Sequence, residues 1–194
     1  MQSAGAILAG GKNSRMAGLD KAFIKMNNVP IIERTINLFK EIFTEIIIVT
    51  NNVSAYNAYK KECQLVSDIL KDKGPLAGIH AALSCTHKKN IFFVACDMPF
   101  LQKTLIEEQI KCFNQVQCDV FIPRLGMRLE PLHAIFQRNV LDKLTDFLNS
   151  SNNFSITSFL KTVNTGYWDL GNNSLCKNVF KNVNTQNDLK EFAG

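Results

Sequence analysis

No stretch of about eighteen consecutive apolar residues occurs in this chain, which excludes a membrane-spanning helix on sequence grounds. Met1-Gln2-Ser3 passes almost at once into an apolar run, with no basic leader region, so a cytoplasmic protein without membrane attachment is expected. C-x-x-C pairs are also absent. The cysteines stand apart at Cys63, Cys85, Cys96, Cys112, Cys118 and Cys176 and read as reduced thiols, not as a disulfide framework or a zinc site. Histidine is scarce, and His80, His87 and His133 are spaced for no familiar metal cluster, so structural or incidental roles are expected. The net charge of +5 is spread along the chain, and no basic segment is interleaved with aromatics. That pattern gives no support to nucleic-acid binding and favours a small polyanionic substrate. Internal repeats, low-complexity tracts and linkers are missing, and 194 residues suit one well-buried domain, read here as 1–194. N-x-[ST] triplets at Asn52, Asn149, Asn153 and Asn172 then mean only that Asn is abundant.

What is present is concentrated first in Ala4 to Lys21, AGAILAGGKNSRMAGLDK. Ala6-Ile7-Leu8-Ala9 has the length and composition of a buried parallel strand, and it empties into a loop carrying Gly10, Gly11, Lys12, Arg15, Gly18 and Lys21. Adjacent glycines let the backbone turn tightly and bring N–H groups up to an anion, and the cations supply neutralising charge. A Walker A loop is excluded because Gly11 stands where Lys would follow Gly10, and no G-x-G-x-x-G occurs. On strand and loop chemistry alone this is a phosphate loop, with an ordinary Gly-rich connection as the other reading.

Strand and helix patterns then alternate. Ile32, Ile36, Phe39 and Phe43 mark one helical face, and Glu45 to Thr50 reads as a strand covered on both sides. A turn and helix near Ser54 to Lys61 precede a short strand around Cys63 to Ser67, which ends at Asp68. Gly74-Pro75-Leu76-Ala77-Gly78 opens a small-residue helix to Cys85, and Asn90 to Cys96 is a further buried strand that delivers Asp97. Ile106, Ile110 and Phe113 mark another helix, and Cys118 to Pro123 another strand. Arg124 to Glu130 reads as a polar turn before Leu132 to Phe136. Val140, Leu141, Leu144, Phe147 and Leu148 form a helical face, a short helix passes through Phe159-Leu160, and a last helix is capped by Asn184 or Thr185. This alternation implies an α/β, Rossmann-like three-layer fold with a mostly parallel central sheet and helices on both faces. Ligands on such sheets collect at the carboxyl ends of the strands, where Gly10, Asn51, Asp68 and Asp97 all fall. Asp97, at a strand tip and stopped by Pro99, is placed to hold a hard divalent cation, or alternatively to cap the next helix.

The segment LAGGKNSRMAGLDK resembles the opening of the molybdenum cofactor guanylyltransferases, approximately L-A-G-G-x-S-x-R-M-G-x-D-K. Leu8, Ala9, Gly10, Gly11, Arg15, Met16, Asp20 and Lys21 match, while Ala17 stands where Gly is usual. C-D-M-P-F resembles the family's metal motif, and Asp68 with Gly74 and Gly78 its segment facing guanine and ribose. Asn51 matches an Asn of the nucleotide site, with Asn52 adjacent as the other possibility. Arg128 before E-P-L-H-A-I-F resembles the acceptor-side R-x-x-P-L-x-A, and F-K-N-V-N-T the near-terminal motif, giving Asn182 and Asn184.

The resemblance implies a nucleotide-diphospho-sugar transferase type of fold and transfer of GMP from GTP to the phosphate of molybdenum-loaded molybdopterin. It further implies Mg²⁺ on Asp97, Arg15 and Lys21 countering triphosphate charge, and N–H groups of Ala9 to Gly11 cradling it. Enzymes that deliver or receive the molybdenum cofactor are implied as further partners, and neither nucleic acid nor membrane is expected. The alternatives are a CTP-using relative, a sugar-1-phosphate nucleotidyltransferase, and a non-catalytic nucleotide-binding module. The N-V-N-T and R-x-x-P-L-x-A segments argue against the sugar reading.

Overall fold

The computed structural model describes residues 3–10, 15 and 16, 19–171, 178–183 and 188. Its main sheet contains β1 (Ser3–Leu8), β2 (Ile46–Val49), β3 (Gln64–Val66), β4 (Asn90–Ala95), β5 (Val120–Leu125), β6 (Arg128–Leu129), β7 (His133–Gln137) and β8 (Thr165–Asp169). The helices are α1 (Ile31–Lys40), α2 (Pro75–Cys85), α3 (Lys103–Phe113), α4 (Leu141–Ser150) and α5 (Ile156–Leu160). Two short ladders, Arg15–Met16 with Leu19–Asp20 and Lys25–Met26 with Val29–Pro30, lie outside the sheet.

In space the strands run β6-β5-β7-β4-β1-β2-β3, with β8 also paired to β5. β4, β1, β2 and β3 are mutually parallel, and β8 is parallel to β5. β7 is inserted antiparallel between β4 and β5 because the β5–β6 hairpin returns the chain through a turn too short for a parallel crossover. The expected polar turn from Arg124 to Glu130 is therefore largely strand. Arg124 and Leu125 continue β5, and Gly126, at φ 58°, makes the reversal.

Alternation along β1 shows why its sequence is apolar throughout. Ala4, Ala6 and Leu8 face α2, α4 and α5, whereas Ile7 faces α1 and α3. Both sides of the strand are thus dry, as a central parallel strand requires. On the second face Phe39, Phe43 and Phe92 pack within 5.0–6.1 Å of one another, and α1 approaches so closely that a Cβ on Gly5 would stand 2.5 Å from Phe39 Cδ2. Each such buried Phe or Ile contributes about 1.5–3 kcal/mol of burial.

The segment expected as a helix near Ser54 is a 3₁₀ stretch, Val53–Tyr59, in which Tyr56 is the buried residue. Strand β8 had no counterpart in the sequence reading. Cys63, Cys85, Cys96, Cys112 and Cys118 are free thiols. Cys176 lies outside the described residues, as does the expected terminal helix apart from Asp188, which is helical.

Candidate functional site

Backbone bonds carry the ladders slightly past the strand ends and fix one rim. Ala9 N–H donates to Val49 O at 2.8 Å, Thr50 N–H to Val66 O at 2.8 Å, and Cys96 N–H to Leu8 O at 3.1 Å. Above these ends opens a cleft of about 770 Å³. The expected residues Leu8, Ala9, Gly10, Lys21, Asn51, Asp68, Gly74, Gly78, Asp97 and Asn182 all line it, joined by Asp20, Thr50, Asp72 and Leu132. Gly11 and Asn184 lie outside the described residues. The Arg15 backbone pairs with Asp20, and its side chain is outside the description. Arg128 does not line the cleft: its side chain is 70% exposed and its Nε pairs with Glu130 Oε1 at 2.6 Å.

Asp97 and Lys21 form an ion pair within the cleft. Lys21 Nζ stands 4.0 Å from Asp97 Oδ2, with both side chains mostly buried. The second oxygen, Oδ1, is buried and has no hydrogen-bond partner among the described residues. Burial pushes the Asp97 carboxyl above the ordinary carboxylate range, and the Lys21 ammonium opposes that shift. A buried carboxylate oxygen without a donor is costly unless a cation or donor arrives. Asp97 O in turn accepts from Val183 N–H at 2.8 Å, which brings Asn182 to the rim, and Leu132 O accepts from Ala95 N–H at 3.1 Å.

Asn51 and Asp68 form a reciprocal pair across the ends of β2 and β3. Asn51 Nδ2 donates to Asp68 Oδ2 at 2.7 Å, and Asp68 N–H donates to Asn51 Oδ1 at 3.1 Å. Asn52 instead accepts from Ser54 Oγ at 2.9 Å. Of the two adjacent asparagines, Asn51 is the one tied to the acidic residue of the rim.

The glycines differ in what demands them. Gly74 sits at φ 62° immediately before Pro75 and opens α2, a conformation in which a side chain is strained. Gly78 lets α2 settle on the sheet, since an added Cβ would lie 3.0 Å from Leu8 Cδ2 and 3.3 Å from Val49 Cγ1. Gly10 has only ordinary clearances, 3.7 Å or more. The Ala9 N–H expected in a phosphate cradle is committed to Val49 O, which leaves Gly10 as the described cradle candidate.

Two roles escaped the sequence reading of the site, that of Asp20, which is there only a match to the family motif, and that of Tyr56. Asp20 Oδ1 accepts from Ala22 N–H at 3.1 Å and caps the turn that carries Lys21, while Oδ2 accepts from Tyr56 O–H at 2.6 Å. An Asp directly before a short helical turn is a readable cap signal. Nothing local marks Tyr56.

Residues 5–163 match the MobA-like NTP transferase domain. The chain is 36% identical over 199 residues to a probable molybdenum cofactor guanylyltransferase of Peptoclostridium acidaminophilum, spanning 96% of this chain and 86% of that protein. It is 34% identical over 193 residues to the molybdenum cofactor guanylyltransferase of Vibrio parahaemolyticus, spanning 99% and 95%. The crystal structure of molybdopterin-guanine dinucleotide biosynthesis protein A from Archaeoglobus fulgidus superposes with a TM-score of 0.78 at 27% identity, covering 97% of this chain and 95% of that one. The mostly parallel sheet flanked by helices is the nucleotide-diphospho-sugar transferase architecture expected from the sequence.

Proposed function

The chain belongs to the MobA-like NTP transferase family, and from that premise we propose that it transfers GMP from GTP to the phosphate of molybdenum-loaded molybdopterin, releasing pyrophosphate. The observation that carries the chemistry is one cleft at the ends of β1 to β4, in which Lys21 stands beside an Asp97 that keeps one buried oxygen unpartnered among the described residues. The choice of GTP and of the molybdopterin acceptor is supported by the relatives of that name, which align over nearly the whole chain. The chain acts as one nucleotidyltransferase domain, for Gly10 and Asn182 line the same cleft.

In the proposed mechanism a phosphate oxygen of the acceptor forms a bond to the α-phosphorus of GTP as the bond from that phosphorus to the β-phosphate oxygen breaks. The electron pair leaves with pyrophosphate. A phosphate monoester is largely ionised near neutral pH, so no side chain has to remove a proton, and the scarcity of histidine is no obstacle. Catalysis is then positioning and electrostatics. Lys21 and Arg15 counter the charge of the triphosphate and of the departing pyrophosphate, and Gly10 presents its backbone to the phosphates. Asp68, held by Asn51, accepts from the nucleoside. The free buried oxygen of Asp97 fits a divalent cation, and Mg²⁺ held there would neutralise phosphate charge as it builds. Arg128 serves the acceptor side from outside the described cleft lining. A cytoplasmic enzyme, with proteins that deliver or receive the cofactor as partners, is part of the same proposal, supported by its use of GTP and a cofactor intermediate.

Pyrophosphate release from each of the four nucleoside triphosphates, with and without molybdenum-loaded molybdopterin, tests this reading. GTP alone should support release, and only with the acceptor. CTP-selective turnover would overturn the nucleotide assignment, and GTP binding without pyrophosphate from any acceptor would reduce the protein to a binding module.

A further inference from the structure

Tyr56 is the one buried residue of the 3₁₀ stretch Val53–Tyr59, and it is fully buried. A hydroxyl taken wholly out of water must find a partner or cost stability. Its partner is Asp20 Oδ2, at 2.6 Å. The same carboxylate uses Oδ1 to hold Ala22 N–H, so Asp20 ties together a turn that begins with Lys21 and a segment that follows β2. The Tyr56 ring grips the other end of that turn, lying 5.0 Å from the ring of Phe23. The turn Lys21–Phe23 is thereby held at both ends by one side chain from the 3₁₀ stretch that follows β2.

We infer that Tyr56 is a positioning residue for transfer: through Asp20 and Phe23 it fixes the turn from which Lys21 reaches Asp97. The inference rests on the transfer reading above and deepens it. A phenylalanine would fill the same space, so packing alone does not account for the hydroxyl. The value of the bond lies in the backbone it immobilises, because a cation on a loose turn loses the orientation that makes it effective against phosphate charge. Lys21 Nζ reaches within 4.0 Å of Asp97 Oδ2 from that fixed turn.

The test is a double-mutant cycle of Tyr56→Phe with Lys21→Met, read by calorimetric affinity for inorganic tripolyphosphate and by pyrophosphate release from GTP with acceptor. In the parent background Tyr56→Phe should weaken tripolyphosphate binding and turnover by about tenfold, the scale of one lost hydrogen bond to a charged group. In the Lys21→Met background it should have no further effect on either, while its effect on thermal midpoint is the same in both. Asp20→Ser, which retains a cap for Ala22 N–H but cannot reach Tyr56, should reproduce the loss without adding to it. Equal losses in both backgrounds, or none in the parent, would overturn the positioning role and leave Tyr56 as a packing residue. If the unaltered protein binds no tripolyphosphate, the positioning role and the triphosphate reading fall together. If it binds tripolyphosphate but releases no pyrophosphate, the transfer reading falls and the binding cycle still decides the role of Tyr56.

Discussion

Asp97 in the cleft and Asp169 at the end of β8 each stand beside a basic side chain, and the two pairs are built to opposite ends. Asp169 is clasped by Arg124, with Nε to Oδ1 at 2.5 Å and the second guanidinium nitrogen to Oδ2 at 2.8 Å, on an open surface. That hydrogen-bonded clasp holds the Asp169 carboxyl below its usual range and leaves neither oxygen free. Asp97 is mostly buried, its partner is 4.0 Å away, and one oxygen is unclaimed among the described residues. Burial pushes its carboxyl up, with Lys21 opposing. A satisfied pair has no capacity left for a ligand. An under-satisfied one whose side chains are mostly buried is costly to the apo protein and useful to a polyanion with its cation.

The largest effect should come from the cleft carboxylate. Asp97→Asn should lower pyrophosphate release by about a thousandfold, the upper range for losing one electrostatic contact to the reacting groups. The thermal midpoint should be no lower, because burial holds the Asp97 carboxyl above its ordinary range even against Lys21, so that its charge is a net cost to the folded state. Near-normal turnover would remove the contrast between the two pairs at its root.

Core packing away from both pairs should instead change stability. Gly5→Ala would place a methyl 2.5 Å from Phe39 Cδ2 and 2.6 Å from Phe43 Cδ2, and overpacking of this kind costs about 1–3 kcal/mol. The urea midpoint should fall while turnover per folded molecule is retained. A loss of turnover without a stability change would mean that the first strand shapes the cleft more directly than its packing indicates.

A third buried titratable group sharpens the meaning of burial. His133 is fully buried between Phe92 and Phe180, its ring nitrogens have no partner among the described residues, and burial lowers its pKa to about 3. The folded ring stays neutral while the unfolded one takes a proton below about 6.5. This contribution to stability is therefore complete above that value and is lost as pH falls from about 6.5 toward about 3. Between pH 8 and pH 5 the linked loss is about 2 kcal/mol. Urea titrations at the two pH values should show His133→Phe, which keeps the aromatic contacts, losing correspondingly less. An identical pH slope in the variant would show that the ring is protonated or solvated in the folded protein.

The smallest effect belongs to the surface pair. Asp169→Asn should leave turnover unchanged and the thermal midpoint nearly so, since an exposed ion pair is screened and solvated. A clear loss of turnover would give the outer sheet edge a part in the reaction.

The sequence made the cleft half of the sheet legible and the far half much less so, for a physical reason. β1, β2 and β4 are covered on both faces, so Ala6-Ile7-Leu8, Ile46 to Val49 and Ile91 to Ala95 read as unbroken apolar runs, the first ending in the glycine loop and the other two in polar residues of the rim. β8 is Thr-Gly-Tyr-Trp-Asp, half exposed, with Gly166 required by the approach of Cys118 Sγ and Phe121, so its strand-favouring Thr165, Tyr167 and Trp168 are interrupted by a glycine and form no apolar run. The β5–β6 hairpin was hidden because Arg124 and Arg128 look like turn residues when their partners Asp169 and Glu130 are unknown. Lys21, Asp68 and Asp97 could be read because each sits beside a strand end or a glycine loop. The link from Tyr56 to Asp20 spans thirty-six positions and depends on the packed sheet, so no local pattern announces it.

The central claim is attack at the α-phosphorus of GTP in this cleft. Its most direct measurement is the fate of label in GTP marked separately at the α- and γ-phosphates, incubated with the enzyme, Mg²⁺ and molybdenum-loaded molybdopterin. The α-label should appear in the dinucleotide product and the γ-label in pyrophosphate, both in step with acceptor consumed. Release of the γ-label as inorganic phosphate, with the α-label left in GDP, would contradict the account.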